Sequence, residues 1–465
     1  MPPAIDGGQT LKVNGSRNSM TNVFHRTLKS IPPNAIGGQG VYLFDNQGNK
    51  YLDASGGAAI SCLGHQNPIV VDAIKEQAGK LAYAHTGFFS NEPAERLADM
   101  LVERAPEGIG KVFFVSGGSE AIESALKLAR QYFWDRGEPA RHKIIARRQS
   151  YHGNTLGALS VGGNEWRRLK FEPFLMDVGR ISPCYAYRYQ MDGESAEAYG
   201  RRAADELEST IQDMEPGTVA AFVAETVVGA TAGAVTPVPG YFKRIREICD
   251  RYGILLILDE VMCGVGRTGT WFACEQEGVV PDMITIAKGL AAGYQPIGAL
   301  LVAEKIYEKI KSTSGFFQHN FSFMGHPIAC AAGVATLNVI EKKDLLNNVQ
   351  VRGKELMKNL ADRFQDTSNV GDIRGRGLFQ AIEFVSDRVT KLPIDAKLQF
   401  AANLKRVAFK RGLICYPMAG TIDGQRGDHV LLAPPFIVTR DEIDNIVDIL
   451  GDAVDQVVQE LGLNN

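Results

Sequence analysis

Two residues in this chain have the types that carbonyl-amine chemistry needs. Lys288 follows the apolar run Met283 to Ala287, and Asp259 closes the run Ile254 to Leu258. Short apolar runs of this kind are the signature of buried strands, and in an open α/β sheet the residues just past the strands' carboxyl ends face the ligand crevice. A lysine held against an apolar wall loses its proton and condenses with a carbonyl as a Schiff base. A buried carboxylate beside it keeps a heterocyclic nitrogen protonated. Pyridoxal phosphate requires both. Singly, each residue has a plainer reading, Lys288 as a surface residue at a helix start and Asp259 as a strand-end cap. The pair therefore needs other parts beside it.

Three such parts are present. Ser116-Gly117-Gly118-Ser119-Glu120 lies between the apolar KVFFV and a helix expected to begin near Glu120. Glycines admit an anion close to the backbone, Ser119 adds a hydroxyl, and the free N–H groups of a helix start favour a phosphate. Tyr151-His152-Gly153 follows the strand-like KIIARR; an aromatic there lies over a ring, and a histidine hydrogen-bonds the carboxylate that holds the ring nitrogen. A polar, aromatic loop from His319 to Pro327 carries Ser322, whose hydroxyl suits a phosphate. Each part also fits a structural role, as helix cap, packing pair or plain loop. A competing signal is Gly264 to Gly269, a GxGxxG after a strand, which points to an NAD-dependent dehydrogenase. The following TWFACEQEGVVPD lacks the long helix and second strand of a compact βαβ unit.

These residues need a scaffold, and from Pro93 to Ala335 the pattern alternates strand, loop and helix, which predicts an α/β fold with a largely parallel sheet covered on both faces. Before it, GVYLFDNQGNKYLDASGG predicts a hairpin and Pro68 to Leu81 a helix. After it come helical stretches at Thr336–Lys343 and Leu346–Phe364, strands in GLFQAIEF and HVLLAPP, and a closing helix from Arg440 to Leu461. The domains expected are a loose segment 1–22, a large domain 76–335, and a small α+β domain made of 23–75 and 336–465. With 465 residues, 45% hydrophobic, 22% charged and net charge −3, the chain has no bias toward nucleic acid or an anionic membrane. Seven scattered cysteines without a CxxC spacing indicate neither a disulfide framework nor a zinc site. With no apolar signal segment, a cytoplasmic location is expected.

With these pieces assembled, the chain resembles the class III aminotransferases, the ω-aminotransferase branch of the fold type I pyridoxal phosphate enzymes. SGGSEA, YHG, LDEVMCGVGRTG, PDMITIAKG, GHP and APP occur in that family's order. The resemblance implies a seven-stranded-type sheet in the large domain and pyridoxal 5′-phosphate as cofactor. It implies that Lys288 is the Schiff-base and proton-shuttle residue and that Asp259 pairs with the pyridine nitrogen. Val261 and Tyr151 would enclose the ring, Gly118 and Ser119 hold the phosphate, and His152 and Glu225 complete the network. Ser322 would reach the phosphate of a neighbouring subunit, which implies a homodimer, or a tetramer built on it. The reaction implied is ping-pong transfer of an amino group from an amine or ω-amino acid to a 2-oxo acid, with a decarboxylase or aminomutase of the same family as the alternative.

Against better-known members, Leu431 stands where ornithine-type relatives carry an arginine before APP, and Ala230 where they carry a glutamate. That pattern resembles the amine:pyruvate subgroup. The mobile arginine of that subgroup would align near Tyr416, so Arg426, on the Gly-rich MAGTIDGQRGDH, is the expected carboxylate anchor. Ala58 and Ala59 are expected to leave one side of the substrate cavity roomy, and Phe88 or Phe89 to supply an aromatic wall from the other subunit.

Overall fold

The computed structural model describes residues 21–28 and 30–463; most of the loose segment expected at 1–22 lies outside them. Its centre is a seven-stranded sheet built from β1 (Ile109–Val115), β2 (Lys143–Arg147), β3 (Gly179–Ile181), β4 (Val219–Glu225), β5 (Leu255–Asp259), β6 (Met283–Ile286) and β7 (Gly298–Ala303). The order across the sheet is β1-β7-β6-β5-β4-β2-β3. All pairings are parallel except those of β7, which runs antiparallel to both β1 and β6. Every residue of β4, β5, β6 and β7 is buried, as strands covered on both faces must be, so their sequences are continuous apolar runs without alternation.

Two smaller sheets flank this one. The predicted hairpin forms, pairing Tyr42–Asp45 with Lys50–Asp53 around a turn in which the Asp45 carboxylate accepts from the backbone N–H groups of Gln47 and Asn49. Its second strand then pairs in parallel with Leu413–Ile414, which brings both ends of the chain into one sheet. A four-stranded antiparallel sheet follows from Val370–Arg376, Phe379–Phe384, Asp428–Leu432 and Tyr416–Ala419.

The helices start where sequence chemistry says they should. Pro68–Lys80 has Asn67 accepting from Ile69 N–H and a proline in its first turn, and Arg440–Glu460 begins with a reciprocal Thr439–Glu442 capping box. One helix differs from expectation. The helix predicted from Thr336 begins at Pro327 and runs unbroken to Lys342, so the boundary expected after Ala335 falls inside it. Its first half, PIACAAGV, is mostly Ala, Cys and Gly and buried on most sides, and apolar or small residues all around a helix leave no amphipathic stripe to detect.

The GxGxxG stretch has a different task from nucleotide binding. It leads only to a short 3-10 turn, Ala273–Glu277. Between its glycines the Arg267 guanidinium, buried, donates to the carbonyls of Leu378 and Pro434, which ties the end of β5 to the antiparallel sheet.

Candidate active site

The cross-strand register aligns Glu225, Asp259 and Thr285 at the carboxyl edge of β4, β5 and β6, and Lys288 follows three residues later. The loops after β1 and β2 arrive at the same edge. One cavity is lined by Gly118, Ser119, Tyr151, His152, Gly153, Glu225, Val227, Asp259, Val261, Met262 and Lys288. It therefore brings together every cofactor residue expected from the sequence except Ser322.

Alternation at the end of β5 separates two acids by function. Asp259 faces the cavity, where Oδ2 is 2.7 Å from His152 Nδ1 and Oδ1 accepts from Val261 N–H at 3.0 Å. Glu260 points the other way and accepts from Thr226 Oγ1 and from the N–H groups of Ala273 and Cys274. Burial lifts its carboxyl to about 7 despite those donors. Glu260 is the anchor of the loop that carries Val261. Each oxygen of Asp259 uses one lone pair on the protein, so a ring N–H can still be accepted.

Lys288 sits at φ 39°, a left-handed conformation that costs a non-glycine residue roughly 1 kcal/mol or more, and it opens a tight 3-10 turn, Lys288–Leu290. Strain of this kind persists where the surroundings fix a side chain in one direction. Burial pushes the amine down to about 8, although Asp259 and Glu225 pull it up. The shifted lysine opposes folding while it must stay charged. Below pH 8 the amine is protonated in both states and the folded state carries the desolvation cost; between 8 and 10.5 the unfolded chain binds the additional proton, so stability rises with pH. The cofactor-free Lys288→Met protein is accordingly expected to melt higher than the unsubstituted apoprotein at pH 7, with the gain fading by about pH 10.5 in thermal scans across that range.

The glycine-rich turn forms the opposite wall. The 18-residue helix Gly118–Asp135 begins with Gly117 as its cap and no side chain satisfies its first N–H groups. That leaves donors for an anion. A Cβ on Gly118 would lie 2.8 Å from Val261 Cγ1, and Gly153, at φ 138°, packs so closely that its Cβ would lie 2.4 Å from Ser119 Oγ. Both glycines are required by proximity. Gly118→Ala, which drives Val261 into the cavity, should weaken cofactor retention about tenfold, read as the dialysis-dependent loss of cofactor absorbance. Two buried polar atoms of the cavity residues, Glu225 Oε2 and His152 Nε2, have no partner among the described residues. An apolar-walled slot with a carboxylate at one end, a helix start at the other and a lysine between fits pyridoxal phosphate.

Outside this slot lies a wider mouth lined by Ala58, Tyr151, Ala230, Met262, Lys288 and Tyr416 together with Asn154, Trp166, Arg167, Arg26, Lys170 and Phe171. Ala58 and Ala230 thus line the same cavity as Lys288. Ala59 does not: it is buried in an apolar cluster with Val227 and Cys263. Leu431 is fully buried in that same cluster and offers no charge. Arg426 also lies elsewhere, in a cleft with Arg148, Arg168 and Arg180, its Nε 2.7 Å from Asp423 Oδ2. Ser322 is exposed and outside the slot, its carbonyl accepting from Tyr83 Oη at 3.0 Å. Phe88 and Phe89 are 82% and 66% exposed and line neither the slot nor the mouth. Sequence reasoning missed Arg167 and Asn154. Asn154 was within reach, three residues after Tyr151, to whose hydroxyl its amide donates.

A family model described as aminotransferase class-III matches residues 25–454. The chain is 46% identical over 442 residues to an uncharacterized aminotransferase of Schizosaccharomyces pombe, covering 94% of this chain and 96% of that one. It is 36% identical to the hypotaurine/taurine–pyruvate aminotransferase of Paracoccus denitrificans, with 93% and 94% covered. Among solved structures, the omega transaminase from Pseudomonas jessenii in complex with PMP superposes with a TM-score of 0.88 at 34% identity, over 93% of this chain and 94% of that one.

Proposed function

From the premise that this chain belongs to the class-III aminotransferases, we propose that it uses pyridoxal phosphate to move an amino group from an amine or ω-amino acid to a 2-oxo acid, pyruvate first among them, in a ping-pong cycle. The observation that carries this reading is the slot that unites Lys288, Asp259 bonded to His152, and the uncapped helix start at Gly118. When bound, the cofactor supplies an electron sink for the bonds at the amine-bearing carbon.

The chain's own residues do the rest. The N–H groups of Gly118 and Ser119 would hold the cofactor's phosphate, and Tyr151 and Val261 would enclose its ring. Asp259, kept in place by His152 and Val261 N–H, would accept the ring N–H of the bound cofactor and hold that proton there. Lys288 Nζ would take up and give back the proton of the substrate's amine-bearing carbon. An amine near 8 has an appreciable neutral fraction at neutral pH, as a proton carrier needs. Pyruvate as acceptor is supported by the buried Leu431, which leaves no fixed arginine there, and by the taurine–pyruvate relative. The exposed Ser322, Phe88 and Phe89, off the slot in a single chain, support a homodimer in which they complete the partner's site.

The test is a panel of amines and ω-amino acids assayed for alanine from pyruvate and glutamate from 2-oxoglutarate, together with borohydride reduction and peptide mapping. Expected are alanine formation and a cofactor-mass adduct on Lys288. No amino product from any donor, or carbon dioxide released in place of it, rejects the proposal.

A further inference from the structure

The mouth above Lys288 has a one-sided charge: Arg26, Arg167 and Lys170 line it and, among the described residues, no aspartate or glutamate does. Between them stand Trp166, Phe171, Tyr151 and Tyr416, which offer an apolar path. A cavity of this composition suits a substrate with an uncharged stem and an anionic end. Of the three cations, Arg167 is the one set against the slot. Its guanidinium lies 4.6 Å from the centroid of the Tyr151 ring, which with Met262 and Lys288 lines both slot and mouth. Arg26 and Lys170 are exposed, whereas Arg167 is half-buried.

Arg167 is also uncommitted. Its neighbour Arg168 donates to the Ser160 and Gly162 carbonyls and to Glu172. Arg426, the anchor expected from the sequence, is paired with Asp423 in a separate cleft. Arg167 takes part in no ion pair or side-chain hydrogen bond among the described residues; its backbone N–H is fixed by the Asn164 side chain. Stacking on an aromatic ring holds a guanidinium flat while leaving its N–H edge free for a bidentate contact with a carboxylate.

Building on the transaminase reading, we propose that Arg167 is the residue that receives the substrate's carboxylate, on the Tyr151 side of the mouth, and that, where the carboxylate is the donor's, it selects acid-bearing donors over plain amines. The carboxylate comes either from an ω-amino acid donor or from the 2-oxo acid acceptor, and the two are separable by experiment.

The test compares Arg167→Gln, Arg167→Lys and the unsubstituted holoenzyme on 5-aminopentanoate and on pentylamine, each with pyruvate. Calorimetric binding of pentanoate gives a readout independent of turnover. A rise of about 10- to 100-fold in KM for 5-aminopentanoate in Arg167→Gln, with the pentylamine KM within twofold, supports the donor carboxylate. A like rise in KM for pyruvate with pentylamine saturating supports the acceptor carboxylate. Either should come with weaker pentanoate binding and partial recovery in Arg167→Lys. Unchanged KM values for both acids, or an equal fall of kcat on both amines with pentanoate binding intact, overturns the proposal. Failure of the unsubstituted enzyme to form alanine from either amine would instead reject the transaminase reading, and pentanoate binding would still decide the role of Arg167.

Discussion

Lys288→Ala is expected to lower turnover about 10⁴-fold, the largest effect of any single substitution in this chain. The proton carrier disappears with the side chain, and the one imidazole among the described residues of the slot, His152, is tied through Nδ1 to Asp259. Cofactor affinity should fall much less, because the helix start at Gly118 and the Asp259–His152 pair remain. The position itself tolerates alanine no worse than lysine, since both pay the same penalty at φ 39°. Loss of activity would therefore not be loss of fold. Single-turnover assays of alanine formation, with circular dichroism as control, decide the matter; a small primary amine added to the assay should restore part of the rate. Retention of more than a tenth of the activity would remove Lys288 from the chemistry.

Asp259→Asn should cost about 10³-fold in kcat, because an amide cannot keep a ring nitrogen protonated. The substitution is close to isosteric. Oδ1 of an asparagine can still accept from Val261 N–H, but the second position would present an NH₂ to His152 Nδ1, which then has to turn acceptor. Thermal stability should change by only a few degrees, while the absorbance of bound cofactor shifts with its altered ring protonation. A variant with normal spectrum and normal kcat would contradict the assignment.

The sequence exposed the slot well and the mouth badly, for a physical reason. Slot residues lie at fixed offsets from strand ends, and strands buried on both faces announce themselves as apolar runs, so Asp259 and Lys288 were legible on one edge, while Glu225, which the register aligns with Asp259, came only with the family resemblance. The Gly118 turn was legible because a helix of 18 residues must start somewhere, and it starts there with glycine and serine. Mouth residues come from short turns with no period. Arg167 sits in the four-residue helix Glu165–Arg168, where an arginine pair looks like solvated surface. Arg426 misled in the opposite direction: a charge on a glycine-rich loop suggested mobility, while Asp423 three residues before it was the available partner. Ala59 was expected in the cavity wall with Ala58, yet the two neighbouring residues, at φ 88° and 62°, turn to different sides.

The antiparallel strand β7 has a consequence in time. It alone connects β1 to the rest of the sheet, pairing Val115 with Gly298. At synthesis rates of about 5–20 residues per second, the strand that precedes the Gly118 turn waits roughly 10 to 40 s for its only neighbour. Until β7 emerges, β1 is an unpaired apolar edge on the ribosome, and the phosphate end of the slot has no floor. The site is completed from its far side inward, and the interval before closure is when this chain is most exposed to aggregation.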